Sequence, residues 1–241
     1  GSEALELATE PQVRAGVCER LGSFQFIAGR GDECERWFRR ALELLPPRDQ
    51  SVLAARALAG LALYTAAWSR LDESEEWAAR GLAVARACEA RREEGRLETA
   101  IGLVSGLRGD TADAVVHLQT ALTIAEEVGN PIDLASAYIN LSHVLGLAGR
   151  HEEVIGLCRV GIPALTRVGL ARQTGSVLRA NACDSLILSG RLAEARELLV
   201  ETLARHPRGI MAAPIRLRAA EVELIAGDLT TAWEECDAAR A

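Results

Sequence analysis

Residues 186–195, LILSGRLAEA, place a Ser-Gly-Arg turn between an apolar run and a new helical pattern. Forty-one residues earlier, residues 145–154 read LGLAGRHEEV and have the same layout. The two turn glycines, Gly149 and Gly190, belong to a series of six turn residues separated by 40, 40, 40, 41 and 37 positions. The series is Gly29, Ser69, Gly109, Gly149, Gly190 and Gly227. A period near 40 residues predicts stacked helical hairpins, because one hairpin alone cannot bury its apolar face.

The register also holds at other offsets from the turn residue. Small residues recur seven positions before it, at Gly22, Ala62, Gly102, Ser142, Cys183 and Ala220. Uncharged residues, most of them small, recur five, nine and twelve positions after it. Two helices joined by a tight turn approach closely only where side chains are small, so these offsets predict the contacts inside each hairpin. The pattern predicts first (A) helices near 11–28, 50–67, 91–106, 132–147, 171–188 and 211–226, and second (B) helices near 32–45, 71–88, 111–128, 151–167, 192–205 and 229–241.

These offsets resemble those of the tetratricopeptide repeat, from about residue 11 to the end of the sequence. The chain departs from that family in its longer period, since the family's repeat has about 34 residues. It also has Ser69 at one turn, and Gln25, Thr65 and Ser105 replace the large aromatic of helix A. HEAT-type repeats share the period but not the pattern of small residues. The resemblance implies an all-α, right-handed α-solenoid of about six hairpins.

We expect Gly1 and Ser2 to be an expression scar, and residues 3–241 to form a single repeat domain. Its units are predicted near 11–48, 49–90, 91–130, 131–170, 171–210 and 211–241. The last pattern carries no helix stop and no polar capping helix, which solenoids need. We therefore expect the sequence to be a piece of a longer protein.

The composition argues against several kinds of chemistry. The net charge is −7, which disfavours a free-standing nucleic-acid binder. All 27 basic residues are arginine, so Schiff-base chemistry and a phosphate-loop lysine are excluded. The four histidines are spread over three units without metal-ligand spacing, and no nucleophile elbow or Gly-rich phosphate loop is present. We expect no catalytic residues, no cofactor and no metal.

The sequence also bears on location. Its six cysteines form no CxxC pair, which favours reduced thiols. No signal peptide and no apolar run of membrane-spanning length is visible, so we expect a cytoplasmic protein that does not enter a membrane. The high Arg and Ala content is typical of a GC-rich bacterial genome, such as that of an actinobacterium.

The resemblance implies that a protein or peptide binds in a concave groove lined by the A helices. Transferred by offset, the candidate groove residues are Arg56, Arg96, Thr99, Ile139, Asn140, His143, Asn181 and Asp184. Arg56 and Arg96 stand one repeat apart and are the expected charged anchors. Asn140 and Asn181 also occupy equivalent positions, where some family members hold a peptide backbone; the alternative is that they cap turns or face solvent.

The long, Arg-rich units with turns such as AGR and SGR are similar to the sensor region of large ATP-binding bacterial transcriptional regulators of the LuxR and maltose-activator type. This similarity implies a non-catalytic, signal-sensing binding module. One alternative is a peptide- or small-ligand-binding regulatory domain of a signalling enzyme. Another is an assembly scaffold, including a homodimer formed through the ends of the solenoid.

Overall fold

The computed structural model describes residues 9–28, 30–171, 174–205 and 212–240. The predicted turn residue Gly29 and the Gly1-Ser2 segment lie outside the described residues. The described part contains twelve α-helices: α1 (Pro11–Ile27), α2 (Gly31–Leu44), α3 (Val52–Ala67), α4 (Leu71–Ala87), α5 (Arg91–Leu107), α6 (Thr111–Val128), α7 (Pro131–Leu147), α8 (His151–Arg167), α9 (Thr174–Leu188), α10 (Leu192–Ala204), α11 (Ala212–Ala226) and α12 (Leu229–Arg240). The predicted all-α, tetratricopeptide-like architecture of consecutive helix pairs is confirmed.

The turns inside the hairpins have the conformation that their register predicts. The five described turn residues have positive φ angles, including Ser69 at 59° and Gly190 at 72°. The residue after each turn then donates its N–H to the carbonyl five positions back, as from Arg191 to Leu186 at 2.9 Å. This hydrogen bond closes the end of an A helix and reverses the chain. Glycine adopts a positive φ without steric cost, and Ser69 keeps the same turn without that advantage.

Side-chain caps fix several helix starts. Asn130 accepts hydrogen bonds from the N–H groups of Ile132 and Asp133, both at 3.1 Å, and Pro131 follows as the first helical residue of α7. Asp110 accepts one from the N–H of Asp113 at 3.0 Å at the start of α6. Such caps satisfy N–H groups that have no partner within the helix.

The chain divides into two compact units, Gly1–Val128 and Gly129–Ala241. In the first unit the A helices α1, α3 and α5 pack side by side in chain order, and the B helices α2 and α4 each pack on the next A helix. In the second unit α7, α9 and α11 are arranged in the same way, with α8 and α10 between them. Each unit therefore presents one face formed by three neighbouring A helices.

The predicted small-residue register is confirmed by burial. The residues seven before each turn, and five, nine and twelve after it, are buried in every hairpin except at two positions of the last one, Cys236 and Ala239. The reason is visible at Phe38, where an added Cβ on Gly22 or on Gly60 would lie 2.8 Å or 2.4 Å from the ring. The glycines let the ring fit between two A helices.

No described helix is long and apolar enough to cross a lipid bilayer. All six cysteines are unpaired, and four of them are buried: Cys18, Cys34, Cys158 and Cys183. Burial raises the pKa of the Cys34, Cys158 and Cys183 thiols to about 12.

Candidate functional site

The predicted anchors Arg56 and Arg96 lie on the A-helix face of the first unit, on α3 and α5. The Nε of Arg56 donates to Oε1 of Glu93 at 3.1 Å, which ties α3 to α5. The Glu93 side chain is only 4% exposed, whereas that of Arg56 is 42% exposed. Arg56 therefore neutralises a buried carboxylate and still presents its guanidinium edge to solvent. Arg96 is half-buried on the same face.

Thr99 does not line an accessible surface, contrary to the prediction. It is 4% exposed, and its hydroxyl donates to the carbonyl of Gly95 at 3.0 Å. Ala59 and Ala180 at the equivalent offset are also buried. Ala59 and Ala180 belong to the apolar core clusters of their units, so this offset faces the packed interior there. Ile139, at the same offset in α7, is half-buried.

The two predicted asparagines are engaged within the second unit. The Asn181 amide nitrogen donates to the Ser142 hydroxyl at 2.8 Å and to the carbonyl of Ile139 at 3.4 Å, and so links α9 to α7. The Asn140 amide nitrogen donates to Ser136 at 3.1 Å within α7. Both amide nitrogens therefore support the helices, Asn181 through two hydrogen bonds and Asn140 through one.

Asp184 forms an ion pair that the sequence did not predict. Its carboxylate accepts two hydrogen bonds from the guanidinium of Arg218 on α11, one of them at 2.6 Å. Arg218 also donates to the carbonyl of Pro214 at 3.2 Å. The neighbouring carboxylate raises the pKa of Arg218, which keeps the pair charged. Such two-pronged pairs are the stronger kind of charge-assisted hydrogen bond.

Exposed aliphatic side chains lie at the C-terminal ends of the A helices in the second unit. Leu147 is 64% exposed, Leu188 69%, Leu224 57% and Ile225 52%. We call these four residues the aliphatic row. Three of them stand two positions before their turn residue, so they occupy equivalent places on α7, α9 and α11.

The surroundings of the aliphatic row are open and partly polar. An alanine Cβ at Gly146, beside Leu147, would meet no atom within 4 Å. One turn away along the helices stand His143 and Glu221, both exposed, and the Asp184–Arg218 pair. The sequence prediction included His143 and Asp184 but missed the row itself. Its signal was present, because the same offset holds Ile27, Ala67, Leu107, Leu147, Leu188 and Ile225.

The position eleven residues before the turn is occupied by a buried apolar or aromatic residue in some hairpins, such as Leu58 or Tyr138, and by a charged residue in others. Glu98, Arg179 and Arg216 occupy it in the third, fifth and sixth hairpins. Each has an ionisable partner on the B helix of its own hairpin.

Of these partnerships, Glu98 lies 2.6 Å from Nδ1 of His117, and Arg216 donates to Glu235 at 2.7 Å. Arg179 is the weakly satisfied member. It is 1% exposed, lies 3.9 Å from the Glu201 carboxylate, and its Nε has no hydrogen-bond partner in the described part of the chain. Burial lowers its pKa. Glu98 and Arg179 are buried and Arg216 is half-buried, and the three pairs belong to separate hairpins.

A shallow hollow of about 550 Å³ lies along α2 in the first unit. Arg36 and Trp37 line it, with the Arg36 guanidinium 5.6 Å from the centre of the Trp37 ring. Glu35, also in its lining, accepts hydrogen bonds from Arg70 at 2.5 and 3.2 Å, and this pairing lowers the pKa of the Glu35 carboxyl. The lining contains both acids and arginines, so the hollow does not favour a ligand of either charge.

Among the described residues, no cluster of three or more His, Cys, Asp or Glu side chains could hold a metal ion. The arrangement offers two A-helix faces of different character: one with arginines in the first unit, and one with the aliphatic row in the second.

Comparison with known proteins identifies the fold. No family model matches the chain, and no curated protein matches it. Among solved structures, the apo form of the quorum sensor NprR from B. thuringiensis aligns with a TM-score of 0.71 at 12% identity, over 99% of this chain and 67% of that one. A Signal Transduction ATPase with Numerous Domains (STAND) protein from Pyrococcus horikoshii, which has a tetratricopeptide repeat sensor, gives 0.70 at 17% identity.

The STAND alignment covers 98% of this chain but 36% of that protein. A Rap protein complexed with Competence and Sporulation Factor gives a TM-score of 0.69 at 18% identity, over 98% of this chain and 66% of that one. The fold is that of tetratricopeptide-repeat proteins. At these identities the likeness concerns the fold alone.

Proposed function

We propose that this chain is a non-catalytic tetratricopeptide module that binds a protein or peptide on the face of its A helices. The aliphatic row is the observation that carries the proposal. Soluble proteins seldom leave a contiguous group of large aliphatic side chains in water unless something binds there. Here the exposed residues recur at equivalent positions of neighbouring helices, and polar groups stand beside them. Binding faces of proteins commonly combine apolar contacts with a polar rim.

We further propose that the module senses a signal for a bacterial transcriptional regulator of the LuxR or maltose-activator type. The comparisons support this context. NprR is described as a quorum sensor, the Rap protein was crystallised with Competence and Sporulation Factor, and the STAND protein uses its tetratricopeptide repeats as a sensor. In this proposal nucleotide binding and DNA binding belong to other parts of the regulator, and the cytoplasm is where it works.

On the first unit we propose that Arg56 and Arg96 receive a carboxylate of the partner. An arginine can hold a carboxylate through two parallel hydrogen bonds. Arg56 would keep its contact with Glu93 through Nε and use its exposed edge for the partner. Replacing both arginines with Ala tests this assignment separately from the second unit.

The experiment uses the chain as an immobilised bait in lysate of the source organism. The baits are the parent, the Arg56→Ala/Arg96→Ala variant, Leu188→Glu, and a matched control, Val160→Glu. Val160 is 62% exposed on the B helix α8, so its replacement changes surface charge away from the A-helix face. A ligand retained by the parent and Val160→Glu, and lost from either groove variant, supports the proposal. A ligand retained equally by all four baits contradicts it.

A second candidate function is assembly through the last hairpin. On α12, Leu229 is 59% and Trp233 is 65% exposed, while Cys236 and Ala239 are the two register positions left half-buried. In the other hairpins these positions are covered by a neighbour. We propose that a second copy of the chain covers them in a homodimer. Sedimentation equilibrium of the parent and of Trp233→Glu tests this, because a dimer through α12 dissociates in the variant and a monomeric parent refutes it.

A further inference from the structure

We infer that the partner of the second unit is an amphipathic helix with a basic edge, which lies across α7, α9 and α11 with its apolar stripe on the aliphatic row. This inference rests on the proposed binding function and names the class of ligand. Three observations carry it: the spacing of the row, the engaged amide and guanidinium donors on the same helices, and the charge at its α11 end.

The first observation is the spacing of the aliphatic row. Leu147, Leu188 and Ile225 occupy equivalent positions on helices that pack side by side, and such helices have axes about 8–10 Å apart. A partner crossing these helices must present apolar side chains at about that interval. In a helix, residues seven apart lie on one face and about 10.5 Å apart, which is close to the upper end of this interval.

An extended strand matches the row less well. In a strand, residues three positions apart are separated by about 10 Å, but their side chains point to opposite faces because side chains alternate. Residues two positions apart point to the same face but are separated by only about 6.6 Å. A polyproline II segment repeats every three residues, about 9.3 Å, so spacing alone does not separate it from a helix.

The second observation favours the helix over the polyproline II segment. A polyproline II segment has no internal hydrogen bonds, so its carbonyl groups need donors from the protein or from water. Two turns from the row, the Asn140 and Asn181 amide nitrogens donate to α7, and the Arg218 guanidinium donates to Asp184 and Pro214. A helix satisfies its own backbone and needs none of these donors.

The third observation is the charge beside the row. Asp184 is neutralised by Arg218. Glu221, one turn from Leu224 and Ile225 on α11, is exposed and also attracts Arg218, so two acids share this one arginine and leave a negative charge at the α11 end. A Lys or Arg on the edge of the ligand helix that faces α11 would pair with Glu221. A row flanked by an acid on this side therefore favours a basic edge on the ligand.

A displayed peptide library with two equal halves tests the inference. One half has a heptad pattern with Leu, Ile or Phe on one stripe and either Lys or Glu on its edges. The other half has the same residues at every third position between prolines. The baits are the parent chain, Leu188→Glu, the control Val160→Glu and Glu221→Lys, each verified as folded by circular dichroism and thermal unfolding.

We expect the parent and Val160→Glu to enrich the heptad half, with lysine preferred at the edge. The best ligand should bind Leu188→Glu at least about 10-fold more weakly, because a buried charge replaces a central contact. Glu221→Lys should reverse the preference between lysine and glutamate. Enrichment of the proline half that depends on Leu188 refutes the helix and leaves the proposed binding function standing. If no peptide distinguishes the parent from Leu188→Glu, the aliphatic row is not a binding site, and both proposals fail for the second unit.

Discussion

Replacing Gly60 with Ala should destabilise the first unit, although the same substitution stabilises an open helix. Gly60 lies in the interior of α3, where an alanine is favoured over glycine by about 0.5–1 kcal/mol. The structure opposes this gain, because the added Cβ would lie 2.4 Å from the ring of Phe38. On its other side the ring lies against Gly22, where an added Cβ would be 2.8 Å from it, so the ring has little room to move away from Gly60.

The magnitude follows from these two opposing effects. Overpacking a close-packed core costs about 1–3 kcal/mol, and the blocked ring places Gly60 in the upper part of that range. Subtracting the helix gain leaves a net loss of about 1–2.5 kcal/mol. For a chain of this size each kcal/mol lowers the thermal midpoint by about 2–4 °C, so the midpoint should fall by about 2–10 °C.

Thermal unfolding followed by circular dichroism at the helical band measures this change. The control is Gly16→Ala on α1, where an added Cβ meets no atom within 4 Å and the helix gain should appear alone. Combining Gly60→Ala with Phe38→Leu should recover at least about 1 kcal/mol relative to additive effects, since the two residues are in direct contact. If Gly60→Ala is as stable as Gly16→Ala, the Phe38 ring is not packed tightly between the A helices.

Three further predictions concern the thiols, the acid stability and the absence of catalysis. A thiol reagent such as dithiobis(nitrobenzoic acid) at neutral pH should modify the half-exposed Cys88 and Cys236 in the folded chain and reach the four buried thiols only on unfolding; rapid reaction of all six is the contrary result. Arg70 lowers the pKa of Glu35, so this pair stabilises the fold above the ordinary carboxyl pKa of about 4.3 and is lost as the pH falls through the lowered value. The urea midpoint of Arg70→Gln should therefore lie below that of the parent at pH 7 and approach it below pH ~4; a gap independent of pH contradicts the assignment. Without lysine or a phosphate loop, the chain should neither hydrolyse ATP nor bind it tightly, and activity that co-purifies through two further columns and follows the protein peak overturns this view.

The hairpins were predictable because their determinants are local. A turn residue, a small residue two turns before it and uncharged residues after it recur at fixed offsets, and each acts within one hairpin or its neighbour. Ser69 shows that the register is stronger than any single residue. It adopts the left-handed conformation, with φ of 59°, in the place where the other described turns have glycine.

The functional faces were harder to predict, because they depend on which partners the polar side chains find. Arg56, thirteen residues before its turn, has an exposed edge, whereas Thr99, ten residues before its turn, is buried. Asn181 looked equivalent to Asn140, yet only Asn181 reaches a neighbouring helix. Arg218 gave no local signal, since its partner Asp184 is 34 residues away.

The aliphatic row shows how such faces can be found in a repeat protein. At a core position, burial against the neighbouring helices explains why the residue is apolar. Two residues before the turn, the side chain is large and aliphatic in every hairpin except the second, which has Ala67, yet Leu107, Leu147 and Leu188 are all more than half exposed. Packing within the hairpins does not account for them. Glu98 and Arg179 are the opposite case: they are charged residues at a buried offset, and each has an ionisable partner within its own hairpin. A residue pattern that repeats without burial therefore locates a contact with something outside the unit, and in the second unit its spacing indicates the form of the partner.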